Sequence, residues 1–218
     1  MPRDTREKIL EAGLKLFSEK GFLGATTREI SQLAGVAELT LFRHFSTKER
    51  LFEEMINRYS FLPALRGLLP SLEGVSYRTA LSEIAGKFLV QLQDRRDLVR
   101  IMMKEMYLYP AQIRTIYHNF IDVLVGTLAS YFRRLQEEGA LRAFNPEAAA
   151  RAFLGMFFSY FCTQEILMLK YEGTVDSETI IREYVDIFVS GTGGLTAGRN
   201  GQERQKRRLT TPSGRAHR

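Results

Sequence analysis

The sequence predicts an all-α fold, with an N-terminal three-helix domain built on a helix-turn-helix and a larger helical domain after it, about nine helices in all. Three observations carry this expectation. Apolar residues recur at three- and four-residue intervals from Thr5 to Ser190; no stretch alternates apolar and polar residues as a half-buried strand does; and glycine, proline and hydroxyl residues punctuate the pattern where helices should start and stop. On this reading residues 1–50 are the first domain, 51–190 the second and 191–218 a tail.

The first helix, Thr5 to Lys20, carries Ile9, Leu10, Ala12, Gly13, Leu16 and Phe17 as a stripe between charged positions, and Gly21 ends it. Thr26 and Glu29 have capping-box spacing, so a second helix starts there, with Ile30, Leu33 and Ala34 inward and Gly35 as its stop. Beyond that turn Ala37, Leu41 and Phe45 stand four apart on an inward face, which turns Glu38, Leu39, Thr40, Arg43 and His44 outward. Ser46 and Glu49 repeat the capping spacing, so a fourth helix carries Leu51, Phe52, Met55, Ile56 and Tyr59 inward. Pro63, Pro70 and Gly74 then mark a boundary segment. Five further helices follow, at about Tyr77–Asp94, Arg96–Tyr109, Ala111–Glu138, Pro146–Glu172 and Ser177–Ser190. Gly139 and Gly173 close two of them. Asn145-Pro146 opens another, with a capping side chain before a proline whose missing amide costs nothing at the first helical position.

A short helix that displays a carboxylate, hydroxyl, guanidinium, imidazole and apolar side chain together suits a surface that reads another molecule. The first-turn amides of the fourth helix, with Lys48, make a site fit for a phosphate.

The run Thr26-Thr27-Arg28-Glu29-Ile30, the turn Ala34-Gly35-Val36 and the end Thr40-Leu41-Phe42-Arg43-His44-Phe45 together resemble the helix-turn-helix of the TetR family of transcriptional regulators. The match covers about the first fifth of the chain, with turn glycine, core positions and His44-Phe45 in register. Two positions depart from the family pattern. Leu39 stands where a small residue, commonly glycine, is usual, and can meet a thymine methyl. Phe42 replaces tyrosine, so its ring can touch a sugar but gives a phosphate no hydroxyl bond. The resemblance implies a DNA interface in which Arg28 and Arg43 reach base edges or adjacent phosphates. Thr27, Thr40, His44 and Lys48 position the backbone, and Leu39 and Phe42 make apolar contacts.

It also implies a ligand-responsive regulator, chiefly a repressor, that binds a palindromic double-stranded DNA operator as a homodimer. The run Ala152 to Cys162 is apolar almost all round a helix and must be covered on more than one side, which by itself argues for a second copy. In the family the last two long helices form that interface. Here these are Pro146–Glu172 and Ser177–Ser190, with Phe153, Tyr160, Gln164, Ile181, Tyr184 and Phe188 as candidates. Two readers related by a two-fold axis see half-sites about 34 to 36 Å apart, or a multiple. The family also holds an effector between its middle helices. The matching candidates are Phe88, Leu92, Met103, Met106, Tyr107, Tyr117, Phe120, Ile121, Phe157 and Phe161, with Met102 and Leu124 beside them. Methionine and aromatic side chains line apolar ligand sites and fill ordinary cores alike, so composition alone leaves both readings open. Such a lining suits a mostly apolar small molecule, with His118, Asn119, Thr163 and Gln164 as polar groups to orient it.

Charge adds little to the DNA argument. Residues 1–50 carry nine Lys/Arg against seven Asp/Glu, residues 51–190 fifteen against seventeen and residues 191–218 seven against one, so the net +6 resides in the tail. That tail, poor in apolar residues, is expected to be disordered and solvated; its run Arg204-Gln205-Lys206-Arg207-Arg208 could add a non-specific pull on phosphates, but a tail without function is the first reading. No apolar run reaches the roughly 18 residues of a membrane span and the start lacks a secretion signal, so the expected location is cytoplasmic. Cys162, the single cysteine, reads as a small buried side chain. His44, His118 and His217 have no metal-ligand spacing, and neither a glycine-rich phosphate loop nor a nucleophile elbow is present. Neither a cofactor nor catalysis is expected. The alternatives to a regulator are a helical protein-interaction adaptor and, further behind, an enzyme; the outward Thr27, Arg28, Thr40, Arg43, His44 and Lys48 suit phosphates and base edges better than a protein partner.

Overall fold

The computed structural model describes residues 4–167 and 176–194. Ten α-helices occur among them: α1 Thr5–Gly24, α2 Thr27–Ala34, α3 Glu38–His44, α4 Lys48–Tyr59, α5 Phe61–Leu68, α6 Tyr77–Asp94, α7 Arg96–Glu105, α8 Ala111–Glu137, α9 Pro146–Phe161 and α10 Ser177–Thr192. All nine expected helices are present. The tenth, α5, lies in the segment expected to be a boundary. Pro63 is its third residue, in the first turn where an amide has no helical acceptor anyway, and Ser60 caps it by accepting from the Leu62 amide at 3.3 Å. No strand is found among the described residues beyond one bridge, Leu141 with Gly193.

Two apolar cores organise these helices. The first gathers α1 to α4 around Phe17, Phe45 and Phe52 and continues through α4 to Ile56, beyond residue 50. It also takes in Leu98 of α7, Tyr109 of the segment between α7 and α8, and Ile113 of α8. The second runs from Phe61 to Phe188, with Phe132 and Phe153 at its centre and α10 laid on α6 and α9. The helical head is therefore seated on the body through α4, α7 and the start of α8.

Several ends differ from expectation for local reasons. Helix α7 stops at Glu105, short of Tyr109, where Pro110 disfavours helical backbone; after it the Leu108 amide closes a turn on the Glu105 carbonyl at 2.7 Å. Thr47, not Ser46, caps α4, accepting from the Arg50 amide at 3.1 Å; Phe45 turns extended to bury its ring, which delays re-entry into helix by one residue. Helix α9 closes in a π-turn, Cys162–Ile166, and the expected continuation to Glu172 with Gly173 lies outside the described residues. The tail does not begin at Gly191: α10 runs to Thr192, whose carbonyl accepts from the Arg142 amide at 3.2 Å, while the Gly191 carbonyl accepts from the Arg142 guanidinium. The basic run from Arg204 lies outside the described residues.

Candidate nucleic-acid interface and effector cavity

The reading helix is presented by the two elements before it. The capping box forms as expected: Thr26 Oγ1 accepts from the Glu29 amide at 3.2 Å and Glu29 accepts from the Thr26 amide at 3.1 Å. Glu29 also takes the Lys20 ammonium at 2.6 Å, which ties α2 to α1. That ammonium bond, with the bonds from Thr26, holds the Glu29 carboxyl down at about 2. Gly35 turns the chain at φ +69°, a left-handed conformation that glycine enters without strain. Helix α3 is then pinned by buried Leu41 and Phe45.

Outward display is as expected for the key positions. Leu39 is 65 % exposed and Phe42 40 %, with Arg43 and His44 exposed beside them and Thr40 half-buried. Two inward assignments are corrected. Ala37 is exposed because it is the cap of α3, with extended backbone, so four-residue helical spacing does not apply to it. Leu33 is also exposed; burial of Ile30 and Ser31, with Ala34 packed on the core, centres the inner face about 100° away from it.

Basic residues in the head divide into engaged and available. Arg6 pairs with Glu54, Lys20 with Glu29 and Arg50 with Glu53 and Glu54. Lys48 lies 4.4 Å over the Phe22 ring, half-buried, and burial lowers its pKa. Arg28 and Arg43 are exposed and have no carboxylate within ion-pair distance among the described residues. The Thr27 hydroxyl donates to Glu38 at 2.6 Å, bracing α2 against the first turn of α3.

Below the head a cavity of about 410 Å³ opens between α4, α6, α7 and α8, within the range of small-ligand sites. Eight of the ten residues expected to line it do so: Phe88, Leu92, Met103, Met106, Tyr107, Tyr117, Phe120 and Ile121. Phe157 and Phe161 do not. Phe157 packs on Phe153 and Tyr184, Phe161 on Phe158, and it is Phe158 that reaches the cavity. Adjacent residues on a helix point about 100° apart, and a run apolar all round carries no signal to say which of them turns inward. Of the polar candidates His118 lines the cavity; Asn119, Thr163 and Gln164 do not, and the Thr163 hydroxyl bonds the Ser159 carbonyl. Sequence reading missed Met55, Ile56 and Tyr59 of α4, and also Gln91, Arg95, Tyr109 and Arg114. Burial and the bond its hydroxyl donates to Glu7 raise the Tyr59 pKa to about 12. Met55, Ile56, Leu98 and Tyr109 both wall the cavity and belong to the head's core.

Comparison with known proteins bears on both halves of this architecture. Residues 9–55 match the family described as "Bacterial regulatory proteins, tetR family", and residues 79–191, about half the chain, match "AefR-like transcriptional repressor, C-terminal domain". The chain belongs to the TetR family of transcriptional regulators. YvkB of Bacillus subtilis, an HTH-type transcriptional regulator, is 30% identical over 163 residues, 73% of this chain and 82% of its own. The HTH-type transcriptional repressor KstR2 of Rhodococcus jostii is 23% identical over 193 residues, 85% of this chain and 90% of its own. The structure of GusR from Salmonella enterica superposes with a TM-score of 0.66 at 24% identity, covering 87% of this chain and 97% of that one, a likeness of fold. This TetR-family chain is thus a DNA-binding regulator and not an enzyme, and none of its described helices is long and apolar enough to cross a membrane.

The six candidates for a contact between two TetR-family chains separate by burial. Phe153 and Phe188 are buried within one protomer, their rings 5.1 Å apart, so they belong to its core and are not on its surface. Tyr160, Gln164, Ile181 and Tyr184 are half-buried. Ala152, Gly155 and Ser159 of α9 and Ile187 of α10 are exposed.

Proposed function

We propose that this regulator is a repressor that binds a palindromic operator as a homodimer and leaves it when a mostly apolar molecule fills the cavity. The two-copy arrangement follows the family, and the exposed small residues of α9 and exposed Ile187 of α10 are the surface we assign to it. In each half-site Arg28 and Arg43 reach base edges or adjacent phosphates, Leu39 and Phe42 make apolar contacts, and Thr27, Thr40, His44 and Lys48 position the phosphate backbone. Repression is the activity of the relatives named as repressors, KstR2 among them.

One observation carries the ligand response: Met55, Ile56, Leu98 and Tyr109 serve the cavity and the head's core at once. A ligand that displaces any of them strains the packing that fixes the head's angle. The two-state equilibrium shifts by as much as the ligand prefers the displaced arrangement. Selection of bound duplexes from a random pool, repeated with apolar compounds present, tests this. An inverted repeat that is lost on adding a compound is the expected result; retention of a single unpaired half-site, or no compound that displaces DNA, overturns it.

A further inference from the structure

The charge around the cavity is one-sided. Arg95 and Arg114 line it, with His118 beside them, and no aspartate or glutamate does among the described residues. Arg95 stands where α6 gives way to α7, its guanidinium 5.6 Å over the Tyr59 ring and its Nε buried without a hydrogen-bond acceptor. Arg95 has no ion pair among the described residues, whereas its neighbour Arg96 pairs with Asp97 and Glu165. Arg114 spends one N–H on the Tyr109 carbonyl at 2.8 Å and has no ion pair among the described residues. A donor withdrawn from water without an acceptor is costly, and an arginine more so than a neutral group. Here the Arg95 Nε is such a donor, at a hollow whose lining is largely apolar, while Arg114 and His118 on the same lining are exposed.

We infer that the effector is an amphipathic anion: an apolar body against Leu92, Met102 and Phe120, and one carboxylate or comparable anionic end on the Arg95 guanidinium. Arg114 adds positive potential at the same site, and the His118 ring can give a further hydrogen bond. This rests on the cavity being the effector site. A charge-assisted bond to an arginine is about twice as strong as a neutral one, so the charged end, more than the body, sets the preference.

Calorimetry of the full chain with decanoate, decan-1-ol and decylammonium, and with 2-naphthoate against 2-naphthol, separates charge from shape. The expected result is that each anion binds at least tenfold more tightly than its neutral partner, with decylammonium weakest of the alkyl set. The gap should close in Arg95→Gln and be partly kept in Arg95→Lys, thermal melts showing that both variants fold. Anions that bind no better than their neutral partners, or a gap unchanged in Arg95→Gln, overturn the inference. The same compounds are then added to chain bound to its selected operator. A charge preference without operator release leaves the anion site standing and removes the release reading; release by neutral compounds alone does the reverse.

Discussion

Arg43 and Lys48 are both cations at the mouth of the reading surface, but they are held differently. Arg43 is exposed and unpaired among the described residues, whereas the Lys48 ammonium rests on the Phe22 ring and so also contributes to the head's packing. Arg43→Ala is expected to cost about 1–3 kcal/mol at one base position and leave other positions unchanged, measured on a panel of single-base operator variants. Lys48→Ala should weaken all sequences alike and also lower the melting temperature, since a cation–π contact of about 0.5–1 kcal/mol goes with it. Identical profiles for the two variants would refute this division. Glu29 gives a pH signature. Its carboxyl titrates at about 2 in the folded chain against an ordinary 4.5, so its contribution is complete above pH 4.5 and fades as pH falls toward 2. The melting-temperature gap between the natural chain and Glu29→Gln should therefore shrink on acidification through that window. A gap that widens would show that the Lys20 and Thr26 bonds do not stabilise the ionised form.

Between elements, the joint of α1 with α7 is held by backbone as much as by side chains. At Gly21 the backbone leaves the helix with φ +74°, and the next amide, Phe22 N–H, donates to Glu105 at 3.0 Å. The Tyr109 ring meets Phe22 edge-on, 6.4 Å between centroids, and burial followed by the nearby Glu105 charge raises the Tyr109 pKa. A Cβ at Gly21 would run into the Glu105 carboxylate, while one at Gly35, equally left-handed, would meet open space. Gly35→Ala should cost about 1 kcal/mol for its backbone alone, and Gly21→Ala more, up to roughly 3 kcal/mol, because Glu105 must also leave its amide. Urea unfolding of both variants checks the order; equal losses would mean that Glu105 swings aside freely and does not latch the joint.

The whole molecule is a head set on a body whose cavity shares residues with the head's core, and in the proposed homodimer the exposed residues of α9 and α10 meet a second copy. Ile187, 64 % exposed on α10, is the largest exposed apolar side chain of that helix. Ile187→Arg is expected to leave the protomer folded, since no core contact depends on it, while shifting sedimentation from dimer to monomer and abolishing binding to paired half-sites. Unchanged sedimentation would place the dimer contact elsewhere.

What the sequence determined is the local grammar. Helical periodicity, the Thr26–Glu29 cap, the Gly35 turn and Asn145-Pro146 each depend on a few neighbouring residues, so their physics is complete within a short window, and nine helices and the outward face of α3 were legible from it. Leu33 and Ala37 were misread because an inner face is set by whatever packs against it, and α5 because a proline in a first turn breaks nothing. Which member of an all-round apolar run lines a hollow and which fills a core, as with Phe158 and Phe157, depends on where α4, α6 and α8 stand. Arg95 gave no signal in Asp94-Arg95-Arg96-Asp97, since only tertiary packing brings Glu165 to Arg96 and leaves Arg95 over the cavity without an ion pair among the described residues. Burial is a property of the whole chain, because a side chain loses water only when a distant segment covers it.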